Sequence, residues 1–271
     1  MGAPDIIWRP DADFRERSHA ARLMGRLGFS DVREFLAWSV ADIRRFWKVL
    51  LEDMGMEWYR PYDEVLDLSG GFPWARWFVG GETNIVLNCI DRHARGPRRD
   101  RTALVWEGDG GEVRRLTYGE FSAEVSRLAN AMRAMGMKPG ETAGLFMPMS
   151  IEGALAMYAC FKIGVAMIPV FSGFGPEGLA ERLIHAKARL VFTSDEGVRR
   201  GKPVPVKATV DAAITLGAKV EKVVVHRRTG APVPMQPGRD VAWEEFTAGQ
   251  PVEAETTRLP ADAVSLILYT S

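Results

Sequence analysis

The sequence is short of the residues that build disulfide and metal scaffolds, with 2 cysteines and 4 histidines among 271 residues. Cys89 and Cys160 lie in different segments, which excludes a disulfide framework or a paired-cysteine metal motif, and both read as packed thiols. His19, His93, His185 and His226 fall in four separate segments, without the spacing that sets two imidazoles on one helical face. Cys89 and His93 sit one helical turn apart, but two ligands do not complete a tetrahedral zinc site, so no metal centre is expected in this stretch. An excess of charge of one sign is lacking too: 35 basic and 35 acidic side chains give a formal net charge of zero. That removes the broad attraction nonspecific nucleic-acid binders rely on, and nucleic acid is not an expected partner. No apolar run approaches the roughly 20 residues needed to cross a bilayer. The N-terminus, with Asp5, Arg9, Asp11, Asp13 and Arg15, has no apolar signal core, so the expected location is cytoplasmic, without a membrane partner.

What is present is the composition of a folded domain, 46% hydrophobic and 26% charged, enough for one large domain or two smaller ones. Residues 1–100 differ in texture from the rest and read as a helical N-terminal extension with a strap. Asp13 to Leu27 has helical spacing. Ser39 and Asp42 fit a helix start, Ile43, Phe46, Trp47, Leu50 and Met54 recur on one face, and Gly55 fits a left-handed stop. Trp38, Trp47, Trp58, Trp74 and Trp77 are expected to anchor packing rather than form a binding surface. From Tyr59 to Asn84, Gly70, Gly71, Pro73, Gly80 and Gly81 imply a long irregular strap.

Residues 101–271 are regular. Thr117 and Glu120 make a capping box, Phe121, Val125, Leu128 and Met132 share a face, and Gly136 closes the helix. A strand is expected at Ala143 to Met147, a helix from Ser150 to Gly164, and a strand within Val165 to Phe171. Pro176 opens a helix with Leu179, Ala180, Leu183 and Ile184 facing inward, and strands follow at Leu190 to Thr193, Val223 to Val225 and Val264 to Tyr269. Short apolar strands alternating with amphipathic helices predict an α/β fold, a parallel sheet flanked by helices. Ligands of such sheets bind beyond the carboxyl ends of the strands, which directs attention to loops 148–150, 171–177, 194–203 and 270 onward.

One of these loops carries a competing signal. Gly173-Phe174-Gly175-Pro176-Glu177-Gly178 satisfies G-x-G-x-x-G after a strand, with Asp195 roughly 20 residues on, as in an NAD-binding oxidoreductase. The helix after that fingerprint packs small apolar residues on the sheet, yet Arg182 and His185 occupy the inward positions of that register. NAD binding is therefore the alternative, not the leading reading.

The residues resemble the AMP-forming acyl-CoA synthetases, and most closely their acetyl-CoA synthetase branch. The resemblance runs from Trp8-Arg9-Pro10 through Ala75-Arg76-Trp77-Phe78, Asn88-Cys89-Ile90-Asp91-Arg92-His93 and Trp106-Glu107-Gly108-Asp109. It continues through Met147-Pro148-Met149, Phe171-Ser172-Gly173-Phe174 and Asp195-Glu196-Gly197-Val198-Arg199-Arg200-Gly201-Lys202 to Leu268-Tyr269-Thr270-Ser271, in an order and spacing that are specific together.

The resemblance implies the first α/β subdomain of an adenylate-forming enzyme. It implies activation of a small carboxylic acid by ATP with Mg, then transfer of the acyl group to coenzyme A. It places the adenine of coenzyme A near Phe171, Ser172 and Gly173, and its 3′-phosphate at the turn Arg199, Arg200, Gly201 and Lys202. A glycine-containing turn with three cations after a strand end suits a phosphate dianion on physical grounds as well. Val204 offers an apolar contact to the adenine. Thr270 and Ser271 match the start of the ATP phosphate loop. The catalytic residues of the family fall beyond Ser271, so this segment alone is expected to complete neither half-reaction; a fragment of a ligase and a noncatalytic remnant both fit. With the neighbouring part missing, Val264, Leu266, Ile267 and Leu268 are expected to leave an apolar edge that self-associates or is disordered over 263–271.

Overall fold

Short polar side chains set the helix limits in the first part of the chain. In the computed structural model, which describes residues 8–199 and 201–270, Asp11 caps α1 (Ala12–Arg17) and Ser18 caps α2 (His19–Leu27). Asp31 caps α3 (Val32–Ala41) and Asp42 caps α4 (Ile43–Asp53), each side chain accepting first-turn N–H groups that have no helical partner. The single helix expected over 13–27 is thus two, broken at Ser18, whose extended backbone (φ −70°, ψ 144°) both ends α1 and starts α2. Ser39 is not a start: it lies inside α3 and donates to the Leu36 carbonyl at 2.8 Å. Helix α3 escapes periodicity because Phe35 is buried while Val32, Leu36 and Val40 are exposed, so apolar residues appear on two faces.

Two compact units result. One comprises residues up to Met56 together with Asp63–Val79. It holds α1 to α4 and an antiparallel pair, β1 (Glu64–Asp67) with β2 (Arg76–Val79), inside the stretch expected to be irregular. Trp38 packs on Phe35 and Phe46, and Trp47 on Trp77, with ring centroids 5.8, 6.1 and 5.9 Å apart. Trp74 departs from the expectation of packing: it is 74% exposed.

The second unit comprises Glu57–Tyr62 and the residues from Gly80 onward. In chain order it contains β3 (Glu82–Thr83), α5 (Arg92–Arg95), the antiparallel hairpin β4 (Thr102–Glu107) and β5 (Val113–Thr117), then α6 (Tyr118–Ala134). The Thr117–Glu120 capping box is formed, and Gly136 takes φ +89° just past the helix end. Next come β6 (Thr142–Phe146), α7 (Ile151–Ile163), β7 (Ala166–Pro169), α8 (Pro176–His185) and β8 (Leu190–Ser194). A short hairpin of β9 (Gly197–Arg199) and β10 (Lys202–Val204) leads to α9 (Val206–Thr215), β11 (Lys222–His226), β12 (Asp240–Ala242), α10 (Trp243–Thr247) and β13 (Leu259–Pro260).

Strands β12-β11-β8-β6-β7 form one five-stranded sheet, parallel throughout. Helices α6, α7 and α10 cover one face through Phe121, Leu128, Ile151, Leu155 and Trp243. Helices α8 and α9 cover the other through Leu179, Leu183, Val206 and Val210. With both faces covered, every residue of β8 is buried, as a parallel sheet requires. Ile184 does not join the inward stripe of α8; it is 46% exposed. The strand expected over 264–269 is reduced to one parallel bridge, Met167 to Leu266, held by two 2.9 Å backbone hydrogen bonds. Ile267 and Tyr269 pack on the core while Val264 and Leu268 face outward, so the alternation of a strand survives although the ladder does not.

Below the sheet, the Lys162 ammonium, 2% exposed, donates to Asp91 Oδ1 at 3.0 Å and to the Thr256 hydroxyl at 2.7 Å. Asn130 and Arg133 of α6 hold the 251–257 segment beside them by donating to the carbonyls of Pro251, Glu253 and Glu255. Among the described residues no helix is long and apolar enough to cross a membrane.

Candidate functional site

The order of the strands creates a crevice. From β6 the chain passes through α7 to β7 on one side, then through α8 to β8 on the other, with α7 and α8 on opposite faces. Connections that diverge in this way leave a gap beyond the carboxyl ends of β6 and β8, where ligands of open parallel sheets bind. A cleft of about 520 Å³ occupies this place, lined by Trp106–Asp109, Pro148, Met149, Phe171–Gly175, Gly197, Val198, Val204, Thr209 and Arg228. A neighbouring cavity of about 350 Å³ shares Trp106, Asp109, Val198 and Arg228 with it.

Asp195 builds the wall nearest β8. Its carboxylate is fully buried and accepts N–H groups from Glu196 (2.7 Å), Arg228 (2.9 Å) and Gly230 (2.8 Å), with Thr229 at 3.2 Å. Burial pushes this carboxyl up, but the four backbone N–H groups outweigh it and hold the group below its ordinary value. One side chain thereby fixes both the start of the β9–β10 hairpin and the loop after β11. It has no oxygen left for a ribose, and the glycine loop follows β7, a strand at the sheet edge. Both facts remove the dinucleotide alternative, whose acidic residue must face the ligand and whose loop follows the first strand at the switch point.

Glycine is required where the hairpin meets the loop after β6: a Cβ on Gly197 would lie 2.9 Å from Pro148 Cγ and 3.3 Å from Val206 Cγ2. At the hairpin tip Gly201 adopts φ +72°, a conformation that favours glycine. The aromatic-glycine corner is a tight turn in which Phe174 N–H donates to the Phe171 carbonyl at 3.0 Å. The Phe174 ring stacks under the Arg182 guanidinium at 4.3 Å, leaving the 61% exposed Phe171 ring at the cleft. Trp106 closes the far side, its indole N–H donating to the Met149 carbonyl at 3.0 Å and tying the β4–β5 hairpin to the loop after β6.

Phe171, Ser172 and Gly173 therefore share one cavity with Val204 and with Gly197 and Val198, the base of the hairpin bearing the basic turn. Lys202 is exposed and pairs across the hairpin with Arg199. The Arg199 side chain and Arg200 lie outside the described residues, as does Ser271; Thr270 is exposed and is not among the residues lining the cleft. Trp106, Asp109, Met149, Thr209 and Arg228 join the cleft without a site motif in the sequence. Arg228 had a legible signal, since it stands two residues past the end of a strand whose middle, Val223–Val225, is apolar and buried, where loops of parallel sheets meet their ligands.

Comparison with known proteins bears on the family of the chain. Residues 90–271 match the AMP-binding enzyme family, and residues 32–89 match the N-terminus of acetyl-coenzyme A synthetase. An acetyl-coenzyme A synthetase of Methanothrix soehngenii is 38% identical over 269 residues, 98% of this chain and 40% of that protein. One from Cupriavidus pinatubonensis is 39% identical over 273 residues, all of this chain and 41% of that protein. The solved acetoacetyl-CoA synthetase from Streptomyces lividans superposes with a TM-score of 0.88 at 25% identity, over 98% of this chain and 41% of that one. The chain thus spans about 40% of the length of the curated relatives it matches. With two thirds of its residues matched by the family, the chain belongs to the AMP-binding enzymes.

Proposed function

We propose that the strand-end cleft receives the adenine nucleotide of coenzyme A, in a protein that joins a small carboxylic acid to that thiol at the expense of ATP. The observation that supports this reading is the single cavity shared by the Phe171–Gly173 corner and the base of the cationic hairpin. An adenine placed against Phe171, Ser172 and Gly173 meets an aromatic ring and small residues that permit close approach. A 3′-phosphate then reaches the turn of Arg199, Arg200, Gly201 and Lys202, where guanidinium groups supply paired donors.

The chemistry explains why such a protein handles two nucleotides. A carboxylate is a poor electrophile. In the proposed first step its oxygen attacks the α-phosphorus of ATP and pyrophosphate leaves. In the second the coenzyme A sulfur attacks the carbonyl carbon and AMP leaves. Magnesium accompanies ATP in this scheme; among the described residues no three His, Cys, Asp or Glu groups converge to hold a metal ion, and no metal-binding role is assigned to them. Thr270 and Ser271 are proposed to begin the ATP phosphate loop. The proposed organisation sets a helical extension over residues 1–100 ahead of an α/β subdomain over 101–271, and the change of family match between residues 89 and 90 supports a division in this part of the chain. The proposed location is the cytoplasm.

Calorimetric titration of the chain with coenzyme A, and separately with NADH, tests the reading. Saturable binding of coenzyme A with no response to NADH is expected. Saturable NADH binding with coenzyme A silent would overturn it.

A further inference from the structure

Arg228 stands out among the residues that line the cleft. It is the one arginine or lysine in that lining among the described residues, and it borders the neighbouring 350 Å³ cavity as well. It is half-buried, and its guanidinium makes no ion pair or side-chain hydrogen bond among the described residues. Other cations of the same unit are satisfied: Arg114 donates to Glu152 at 2.9 Å, and Arg189 to Glu141 and Glu221. Its neighbour Arg227 is exposed and borders a different cavity. A partly desolvated guanidinium without an anion is an unfulfilled fork of donors.

The backbone determines where that fork stands. Arg228 N–H donates to Asp195 Oδ1 at 2.9 Å, and the same oxygen accepts from Glu196 N–H at 2.7 Å, where the β9–β10 hairpin departs. Arg228 and the hairpin are thus fixed to one atom, on one wall, with Val198 of β9 lining both cavities beside Arg228. Glu107 and Asp109 also line the cleft. An anion entering beside these carboxylates is favoured on the arginine wall and disfavoured on theirs.

We propose that Arg228 is a second recognition group for the 3′-phosphate of coenzyme A, gripping from the loop after β11 the same dianion that the 199–202 turn meets from the hairpin. A phosphate monoester near neutral pH carries close to two negative charges and three acceptor oxygens, so cations from two directions match it better than one turn. The inference rests on the coenzyme A reading above and adds a residue and a discrimination to it: the site selects coenzyme A over its 3′-dephospho form.

The test measures affinities of the unaltered chain, Arg228→Ala, Arg228→Lys and Arg227→Ala for coenzyme A and 3′-dephospho-coenzyme A, with melting curves to confirm folding. Arg228→Ala is expected to weaken coenzyme A about tenfold and leave the dephospho form within about twofold, because only one ligand carries the group that is gripped. Arg227→Ala is expected to change neither. Unchanged coenzyme A affinity in Arg228→Ala, or equal weakening of both ligands, overturns the assignment of Arg228 while leaving the coenzyme A site in place. Failure of the unaltered chain to bind coenzyme A removes the underlying reading and this inference with it. Should the alanine variant not fold, the lysine variant decides: it keeps the charge and loses the fork, so about threefold weaker coenzyme A binding with the dephospho form unaffected is expected, and unchanged binding of both overturns the proposal.

Discussion

The carboxylate of Asp195 accepts a 2.8 Å hydrogen bond from the backbone N–H of Gly230, 35 residues further along the chain. That bond joins the loop after β8 to the loop after β11 across the carboxyl edge of the sheet. The cleft wall is therefore held by one buried anion and several amides, not by side-chain packing alone.

Replacement Asp195→Asn is expected to lower stability by about 2 kcal/mol near neutral pH, since an amide offers one acceptor oxygen in place of two and loses the charge that strengthens the bonds. The sign with pH follows from the lowered carboxyl. Its stabilising contribution is fully present above the unfolded pKa of about 4 and is lost as pH falls through the lower folded value. Urea unfolding of both proteins across pH 7 to 2.5 should show the difference between them shrinking below about pH 4. A difference that stays constant to the acid end would refute the role of the charge.

Gly197→Ala is expected to displace the β9–β10 hairpin, because the added carbon meets a proline ring at 2.9 Å that has no rotamer to yield. Coenzyme A affinity should fall severalfold with a stability loss of about 1–3 kcal/mol. Gly201→Ala meets no atom within 4 Å and is strained only by its φ of +72°, so a smaller loss, about 1 kcal/mol, is expected. Melting curves and titrations of the pair check the ranking.

The two cysteines should differ in reactivity. Cys160 is completely buried, and burial pushes its thiol well up; Cys89 is exposed by comparison, with a smaller upward push from burial opposed by Arg92. A thiol reagent applied to the folded chain should modify one cysteine promptly and the second only on unfolding. Prompt modification of both would contradict the packing of α7.

In a form of the protein that turns over substrate, Arg199→Ala is expected to raise the KM for coenzyme A about tenfold while acid-dependent ATP–pyrophosphate exchange stays nearly intact, because adenylation precedes entry of the thiol. Parallel loss in both assays would separate Arg199 from coenzyme A.

Much of this architecture is legible in the sequence because local chemistry and tertiary need agree. Thr117 with Glu120, Ser150, and Pro176 mark helix starts that packing then uses, and the apolar run Leu190–Phe192 that opens β8 marks an inner strand. The boundaries that mislead are those where two caps compete over a short distance. Ser39 looks like a cap but is inside α3, because Asp31 has already started that helix. The Val264–Tyr269 segment has strand composition, yet it makes a single bridge at the sheet edge, a matter of neighbours that composition does not carry. The cleft follows the same division: Phe171–Gly173 and the hairpin announce themselves by residue type, whereas Trp106 and Arg228 arrive from β4 and from beyond β11, and only the folded sheet brings them together.

The bond network around Lys162 has a consequence for the order in which the molecule is made. Its ammonium takes one partner 71 residues upstream and another 94 residues downstream. A growing polypeptide that has released α7 from the ribosome already holds the Asp91 half of this arrangement but must wait for Thr256. The segment around Thr256 therefore acts as the keystone of an ion network whose first partner, Asp91, stands 165 residues earlier.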